Sequence, residues 1–480
     1  MRRMFNIVTN EYIKILMKMS TIIMLITVAL VAIGYNGFRL MQDRQERRWS
    51  GISHYESYDE QINRAKSEKY DGWELQVEIL TFLKENDVTQ EYNDDDFWIH
   101  SAVYTMFEQK AFASEKSLKL ADDIMKAIKD RDWKAYNKID AGIIESAYTN
   151  FGNTDIAYPD GGVYLSKELL EIYLWGANYK IENEIPPFNS NWKYKLLNDV
   201  LYTKYHLIEL KNMPSAEQDR KQIANTEEAV LIGKYRLDNN IEVYTSKESG
   251  VTSDNRDYRE EGLKFWDVFT SSALGINVIS VLIIIIAGSV ISTEFSTGTI
   301  KYLLVNPVKR YKIFIAKYVS VLSFAFLMLL IYYVFNIIVS GIFFGFGDLG
   351  APYLYVSSGK VAVGSGFLFV ALKYLIASVG MICMATLAFA ISSVARSSAL
   401  SIGMGVFLYL SGYGVVAVMS QLKLDFGRYI IFSNLELNAI AEGVSIYKGQ
   451  TFAFALTVIS VYMAVFILTA WDGFVRRDVK

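Results

Sequence analysis

The stretch "VISVLIIIIAGSVISTEFSTGTIKYLLVNPVKRYK", residues 278–312, decides the fold. Its first fourteen residues hold no charge, and Glu294 follows three positions past their end. Then come Thr297-Gly298, a short apolar turn with Ile300, Leu303 and Leu304, the pair Asn306-Pro307, and the cations Lys309, Arg310 and Lys312. A helix that crosses a bilayer needs about 20 predominantly apolar residues, and a tether between two such helices needs none of these later features. Thr297-Gly298 is suited to ending one helix. Asn306-Pro307 fits an N-cap followed by the first position of the next helix. The stretch therefore reads as the end of a span, a sharp corner, a short knob with one apolar and one basic face, and a return to the membrane.

Working outward, six segments are long and apolar enough to span: about 19–38, 269–291, 318–344, 367–394, 400–419 and 452–471. The first lacks a small-x-small cleavage site and ends in the charged run "RLMQDRQERR", so it reads as an uncleaved span rather than a signal peptide. All six prolines lie outside these spans, which predicts no proline-driven kink. Polar residues within them are modest in kind, among them Asn277, Asn336, Ser378, Ser392 and Ser393, read as helix-helix hydrogen bonding. Lys373, near the end of its span, is expected to snorkel.

Charge separates the chain into two populations. Residues 39–267 hold 43 acidic and 30 basic residues, while the whole chain has a net charge of −3, so the remainder is strongly basic. An acidic polar domain and a basic, oil-rich membrane domain follow. With the N-terminus placed in the cytoplasm, thirteen Lys and Arg fall in the inner segments and four in the short outer loops. The positive-inside rule then predicts both termini cytoplasmic and 39–267 extracellular. Residues 1–18 alternate a basic face (Arg3, Lys14, Lys18) with an apolar one (Phe5, Val8, Tyr12, Ile15), the pattern of an interfacial amphipathic helix.

The 39–267 region carries helical periodicity, with Leu118, Ala121, Met125 and Ile128 as one apolar face. Extended segments are expected near 161–164 and 241–245, and Asp238-Asn239-Asn240 reads as a helix stop. The triplet Asp94 to Asp96 lacks the Gly and terminal Glu of a calcium loop and reads as a solvated acidic turn. The fold class predicted is mainly α: a polytopic six-helix transmembrane domain with a mainly helical extracellular domain. Its divisions are an amphipathic helix at 1–18, the first span at 19–38, the extracellular domain at 39–267 and five spans within 268–480.

Several chemistries find no support in the residues. The single cysteine, Cys383, precludes an internal disulfide, and His54, His100 and His206 have no metal-ligand spacing. There is no phosphate-cradling G-x-x-x-x-G-K-[ST] loop, no nucleic-acid motif and no catalytic constellation. No catalytic residue, bound cofactor or metal is therefore assigned, and the chain is not read as an enzyme.

The run from Glu294 to Lys317, E-x-x-x-G-T-x-K-x-L-L-x-x-P-x-x-R-x-x-x-x-x-x-K, closely resembles the cytoplasmic loop after the second span of ABC transporter type-2 permeases. The basic amphipathic N-terminus resembles the elbow helix of that family. "KYRLDNNI" (234–241) resembles the end of the large ectodomain in a bacterial subgroup, and "RYIIFSNLELNAIAEG" (428–443) the outer loop before the last span. The resemblance implies a bacterial plasma-membrane exporter in which two permeases, identical or paralogous, pair. A separate ATPase subunit, binding ATP and magnesium, would dock beneath each. It implies that the coupling segment 292–317 acts through Glu294, Gly298, Thr299, Ile300, Lys301, Leu303, Leu304, Pro307, Arg310 and Lys317. Glu294 is expected to hold charge at the boundary of knob and elbow, with Lys14 or Lys18 as its partner. The alternative reading is a membrane receptor, sensor or accessory protein with a helical ectodomain and no transport of its own.

Overall fold

The computed structural model describes residues 2–50, 56–70, 72–90, 94–151, 166–214, 220–246, 263–298, 309–447 and 449–476. They form two compact units. One comprises Met1–Gly51, Thr245–Tyr353 and Gly364–Lys480, and the other Ile52–Tyr244 with Leu354–Val363. The protein is mainly α, and among the described residues six helices are long and apolar enough to cross a membrane.

In the first unit, the N-terminal helix Arg2–Leu16 turns at Met17-Lys18 into the helix Met19–Ser50, the first span. The corner is closed by Thr21, whose hydroxyl donates to the Ile15 carbonyl at 2.5 Å. The helix carrying the first span outruns its apolar stretch by more than ten residues. The second span is built from Phe265–Ser271, a 3-10 turn at Ser272–Gly275, and Ile276–Val290. That irregularity has no proline. Tyr332 of the third span donates its hydroxyl to the Ser272 carbonyl at 3.0 Å, supplying from outside the helix a partner that the tightened turn withdraws. The third span is Arg310–Phe344, the fourth Gly366–Ala395, the fifth Ser398–Gln421 and the sixth Phe452–Trp471.

The core of this unit is apolar, centred on Val28, Phe269, Ile279, Ile283, Phe324, Met328 and Phe389. Threaded through it is a neutral hydrogen-bond network. Asn36 of the first span donates to Asn336 Oδ1 of the third at 3.3 Å and accepts from Ser340 at 2.8 Å. Ser272 and Tyr374 share a hydrogen bond at 2.7 Å. Asn336 and Ser392 thus join neighbouring helices as expected, as does Asn277, which accepts from Tyr409 at 2.9 Å. Ser378 and Ser393 instead satisfy themselves on their own helix. Lys373 pairs with Glu442 at 2.9 Å.

The second unit is a stack of helices: Tyr58–Glu68, Trp73–Glu85, Trp98–Phe112, Glu115–Lys129, Trp133–Thr149, Lys167–Glu182, Trp192–Asn212 and Arg220–Asp238. Five of these starts are set by side-chain caps. Ser57 and Glu60 form a capping box, and Ser114, Asp132, Ser166 and Asn191 each accept a backbone N–H of the first turn. The core gathers Trp98, Met106, Phe107, Ile124 and Ile143. The apolar face of Glu115–Lys129 is rotated from the expected one. Ala121, Ile124 and Ile128 are buried, while Leu118 is 44% exposed. Asp94 to Asp96 form a polar turn in which Asp96 pairs with Arg131 and Asp95 accepts from Ser190. Asn240, at φ +57°, ends the last helix at the expected stop. Of the expected extended segments, 161–164 lies outside the described residues, and 241–245 yields only the strand β1, Thr245–Ser246.

Strands β2 (Tyr353–Ser357) and β3 (Lys360–Gly364) form a hairpin between the third and fourth spans, in a sheet ordered β1-β2-β3. Ser358 and Gly359 both have positive φ, as a type I′ turn requires. Residues 354–363 of this hairpin belong to the second unit, where the Val356 N–H donates to the Glu228 carboxylate at 3.3 Å.

Candidate functional site

At the end of the bundle that carries the N-terminal helix, three chain segments meet on one ammonium group. Lys317, two turns into the third-span helix, is 1% exposed. Its Nζ donates to Glu11 Oε2 at 2.7 Å, to Glu294 Oε1 at 2.6 Å and to the Val290 carbonyl at 3.5 Å. The two carboxylates are 9% and 14% exposed. Lys14 adds a second cation, 2.7 Å from Glu11 Oε1 and 3.9 Å from Glu294. All three hydrogens of the Lys317 ammonium have an oxygen to point at, the condition under which so buried a charge is tolerated.

Local sequence explains the convergence. Glu11 lies among Val8, Tyr12 and Ile15 on the N-terminal helix, so the face that packs on the third span carries an acid. Ser320, one turn beyond Lys317, donates to the Val8 carbonyl at 3.2 Å and holds the two helices in register. Burial pushes the Glu11 carboxyl upward. Lys317 and Lys14 outweigh that and leave it below the ordinary glutamate range. Burial acts downward on Lys14, but its hydrogen bond to Glu11 raises it on balance. Lys18 is lowered, by burial and then by the repulsion of Lys317.

Glu294 sits on the short helix Ser292–Ser296, which is itself pinned. The Ser292 N–H donates to Ser392 Oγ at 3.0 Å, and the Ser292 and Ser398 hydroxyls lie 2.9 Å apart. The Arg396 guanidinium covers the Phe295 ring at 4.6 Å. The base of the following segment is thus fastened to the turn between the fourth and fifth spans. The helix stops at Thr297, whose hydroxyl bonds back to the Thr293 carbonyl at 2.8 Å. Gly298 then takes φ +70°, a conformation that costs glycine nothing and other residues strain.

Of the residues singled out from sequence, Glu294 and Lys317 come together directly. Gly298 is an exposed corner, and Arg310 begins the third-span helix at the far side of the segment. Thr299, Ile300, Lys301, Leu303, Leu304 and Pro307 lie outside the described residues, as does Asn306. The expected partner Lys14 does reach Glu294, at 3.9 Å, but the closer partner is Lys317. Glu11 was missed. The available signal was that it is the sole acid among the first eighteen residues, in a helix otherwise basic.

The fold and this site define a mainly α, multi-pass membrane protein with a buried ionic cluster that joins its N-terminal helix, the short helix after the second span and the third-span helix. Residues 245–480 match the family model described as "Protein of unknown function (DUF2705)". The chain belongs to the family of the uncharacterized protein YhcI of Bacillus subtilis (strain 168), with which it is 32% identical over 293 residues, 61% of this chain and 85% of that relative. The uncharacterized membrane protein YdbK of the same organism is 26% identical over 204 residues, 42% of this chain and 78% of YdbK. No solved structure matches.

Proposed function

We propose that this protein is the membrane-spanning permease subunit of an ATP-driven ABC exporter, lying in the bacterial plasma membrane with both termini in the cytoplasm. ATP and magnesium are bound by separate ATPase subunits docked on the coupling segment 292–317, and a second permease completes the translocation unit. The observation that carries this reading is the Lys317 clamp. Glu294 precedes the segment, Lys317 follows it, the two are paired, and Lys317 is also paired with Glu11 of the N-terminal helix. A segment whose two flanks are locked together cannot absorb a push by spreading. A displacement at its tip is delivered to the second and third spans. Such a base suits a lever, and the resemblance of 294–317 to the coupling loop of type-2 permeases supplies the partner.

Co-purification tests it. Ile300, Leu303 and Leu304 supply the apolar seat, so Leu304→Asp places an unpaired charge in an apolar contact, at a cost of several kcal/mol. The variant inserts normally, loses its co-purifying ATPase and loses transport. Lys312→Gln removes only surface attraction of about 1 kcal/mol and retains both. Retention of the ATPase by Leu304→Asp, with loss in Lys312→Gln, overturns the apolar seat. Orientation has its own test. A cysteine placed in the turn at Asp95 reacts with an impermeant thiol reagent on intact cells, and one placed at Val308 does not. The reverse pattern overturns the topology.

A further inference from the structure

The segment between the fifth and sixth spans does not stay at the membrane surface. It contains two 3-10 turns, Asp425–Tyr429 and Ile431–Asn434, and a short helix, Leu437–Glu442. Ile431, Leu437 and Ile440 are buried against Cys383 of the fourth span and Ala455 and Ile459 of the sixth. The Leu435 carbonyl lies 2.8 Å from where a Cβ on Gly380 would stand, so only glycine admits it. Gly380 is at the midpoint of the 30-residue fourth span. At 1.5 Å per residue that is about 21 Å from the helix start, near the middle of a bilayer core of about 30 Å. Phe432 packs in the same way over Gly412 of the fifth span. The loop is therefore re-entrant, and Glu436, next to Leu435, is carried to the depth of the bilayer centre.

At that depth Glu436 is exposed, and its carboxylate has no hydrogen-bond or ion-pair partner among the described residues. It lies within electrostatic reach of Tyr409, halfway along the fifth span, whose hydroxyl donates to Asn277 of the second. Tyr413, one turn further on the same face, is 58% exposed. An ionisable group at membrane depth faces a partner, a ligand or a water-filled path rather than lipid. Lys373, whose carbonyl accepts from Asn438 of the same loop, is already held by Glu442, so a second copy of the chain brings no spare lysine from that position. A divalent metal takes six or more oxygen ligands or a rigid set of soft ones, and one carboxylate beside a phenol and an amide does not supply them. An aromatic face beside a single anion suits an organic cation with an apolar body.

We propose that Glu436, with Tyr409, Tyr413 and Asn277, forms an intramembrane binding site for an amphiphilic organic cation. As a ligand site it stands on this geometry alone. As the substrate site of an exporter it rests on the permease reading above.

The test uses the full-length chain in phosphatidylcholine nanodiscs, without any ATPase. The probe is radiolabelled tetraphenylphosphonium, and the competitor is tetraphenylborate, a body of the same shape with the opposite charge. Wild type binds the cation saturably above empty nanodiscs, and the borate competes poorly. Glu436→Gln weakens binding roughly tenfold or more, the loss expected for an interaction with a charged group, while Glu436→Asp stays within a few-fold of wild type. The proposal is overturned by absence of saturable binding, by equal competition from the borate, or by unchanged affinity in monodisperse Glu436→Gln. Should Glu436→Gln not be monodisperse, the isostere comparison and Glu436→Asp decide. Cation binding with no co-purifying ATPase keeps this site and removes the permease reading, and the converse result does the reverse.

Discussion

Two polar systems are buried in the membrane unit, and they are solved differently. Around Lys317 the groups are charged, and each charge has an opposite one within 2.7 Å. Around Asn36, Asn336 and Ser340 the groups are neutral and share hydrogen bonds of 2.8 to 3.3 Å. The first lies where the interfacial N-terminal helix meets the spans, within reach of water, where a charge is affordable if paired. The second lies toward the opposite ends of the first and third spans, where Asn36, Asn336 and Ser340 are fully buried, and neutral groups there avoid the large desolvation cost of a charge. The contrast teaches that the ionic cluster is fragile to the loss of one member, whereas the neutral network degrades gradually.

The largest effect follows directly. Lys317→Met removes the buried cation and leaves Glu11 and Glu294 with only the half-exposed Lys14 to share between them. Removing one partner of a buried pair costs about 3–5 kcal/mol, so thermal unfolding in detergent should drop steeply and the yield of folded protein should fall. Lys317→Arg, which keeps the charge, should lose much less. A Lys317→Met protein as stable as wild type would break the comparison.

Next in size is Asn36→Leu, which strands the Ser340 hydroxyl and the Asn336 carbonyl oxygen. Intramembrane hydrogen bonds average about 0.6 kcal/mol each, with a maximum near 1.7, so a shift of about 1 kcal/mol in a denaturation series is expected. A loss as large as that of Lys317→Met would erase the distinction between the two systems.

Acid sharpens it further. The Glu11 carboxyl is held below its ordinary value, so it adds stability that is fully present above the unfolded-state value, about 4.3. That stability is lost as pH falls through the lower folded-state value. Melting temperature should therefore hold from pH 7 toward 5 and then decline, and Glu11→Gln should flatten the acid limb. A decline in Glu11→Gln equal to that of wild type would assign the acid limb to other groups.

The smallest effect lies in the other unit. Ser57→Ala removes one member of the capping box with Glu60 and should cost about 1 kcal/mol in local stability, read by hydrogen exchange at the start of the helix Tyr58–Glu68.

The spans were legible in sequence because twenty uncharged apolar residues have few other fates in a chain. The helix stop at Asn240 and the corner at Gly298 were legible because their residue types tolerate φ above zero. Glu294 was legible as a boundary residue, yet its main partner was not. Lys317 and Glu11 are 306 positions apart, and no local pattern pairs them. The stretch 428–443 reads as a loop because it is too short to span and carries Arg428, Glu436 and Glu442. Its descent to Gly380 depends on two glycines in other helices that leave room for Leu435 and Phe432. Leu118 was misplaced because a stripe of four apolar residues does not state which of its edges faces inward.

The hairpin at 354–363 has a consequence for the order of synthesis. Its Leu354 is fully buried, and Val356 bonds to Glu228 of a helix made more than a hundred residues earlier. The second unit is thus discontinuous in the chain, and its last piece is translated only after the second and third spans. At about 5–20 residues per second, the first 193 residues of that unit wait on the order of ten seconds for the piece that completes it. Completion of the unit is then a record that the third span has been threaded. A fragment ending at Tyr244 would lack the strand pair that Glu228 holds.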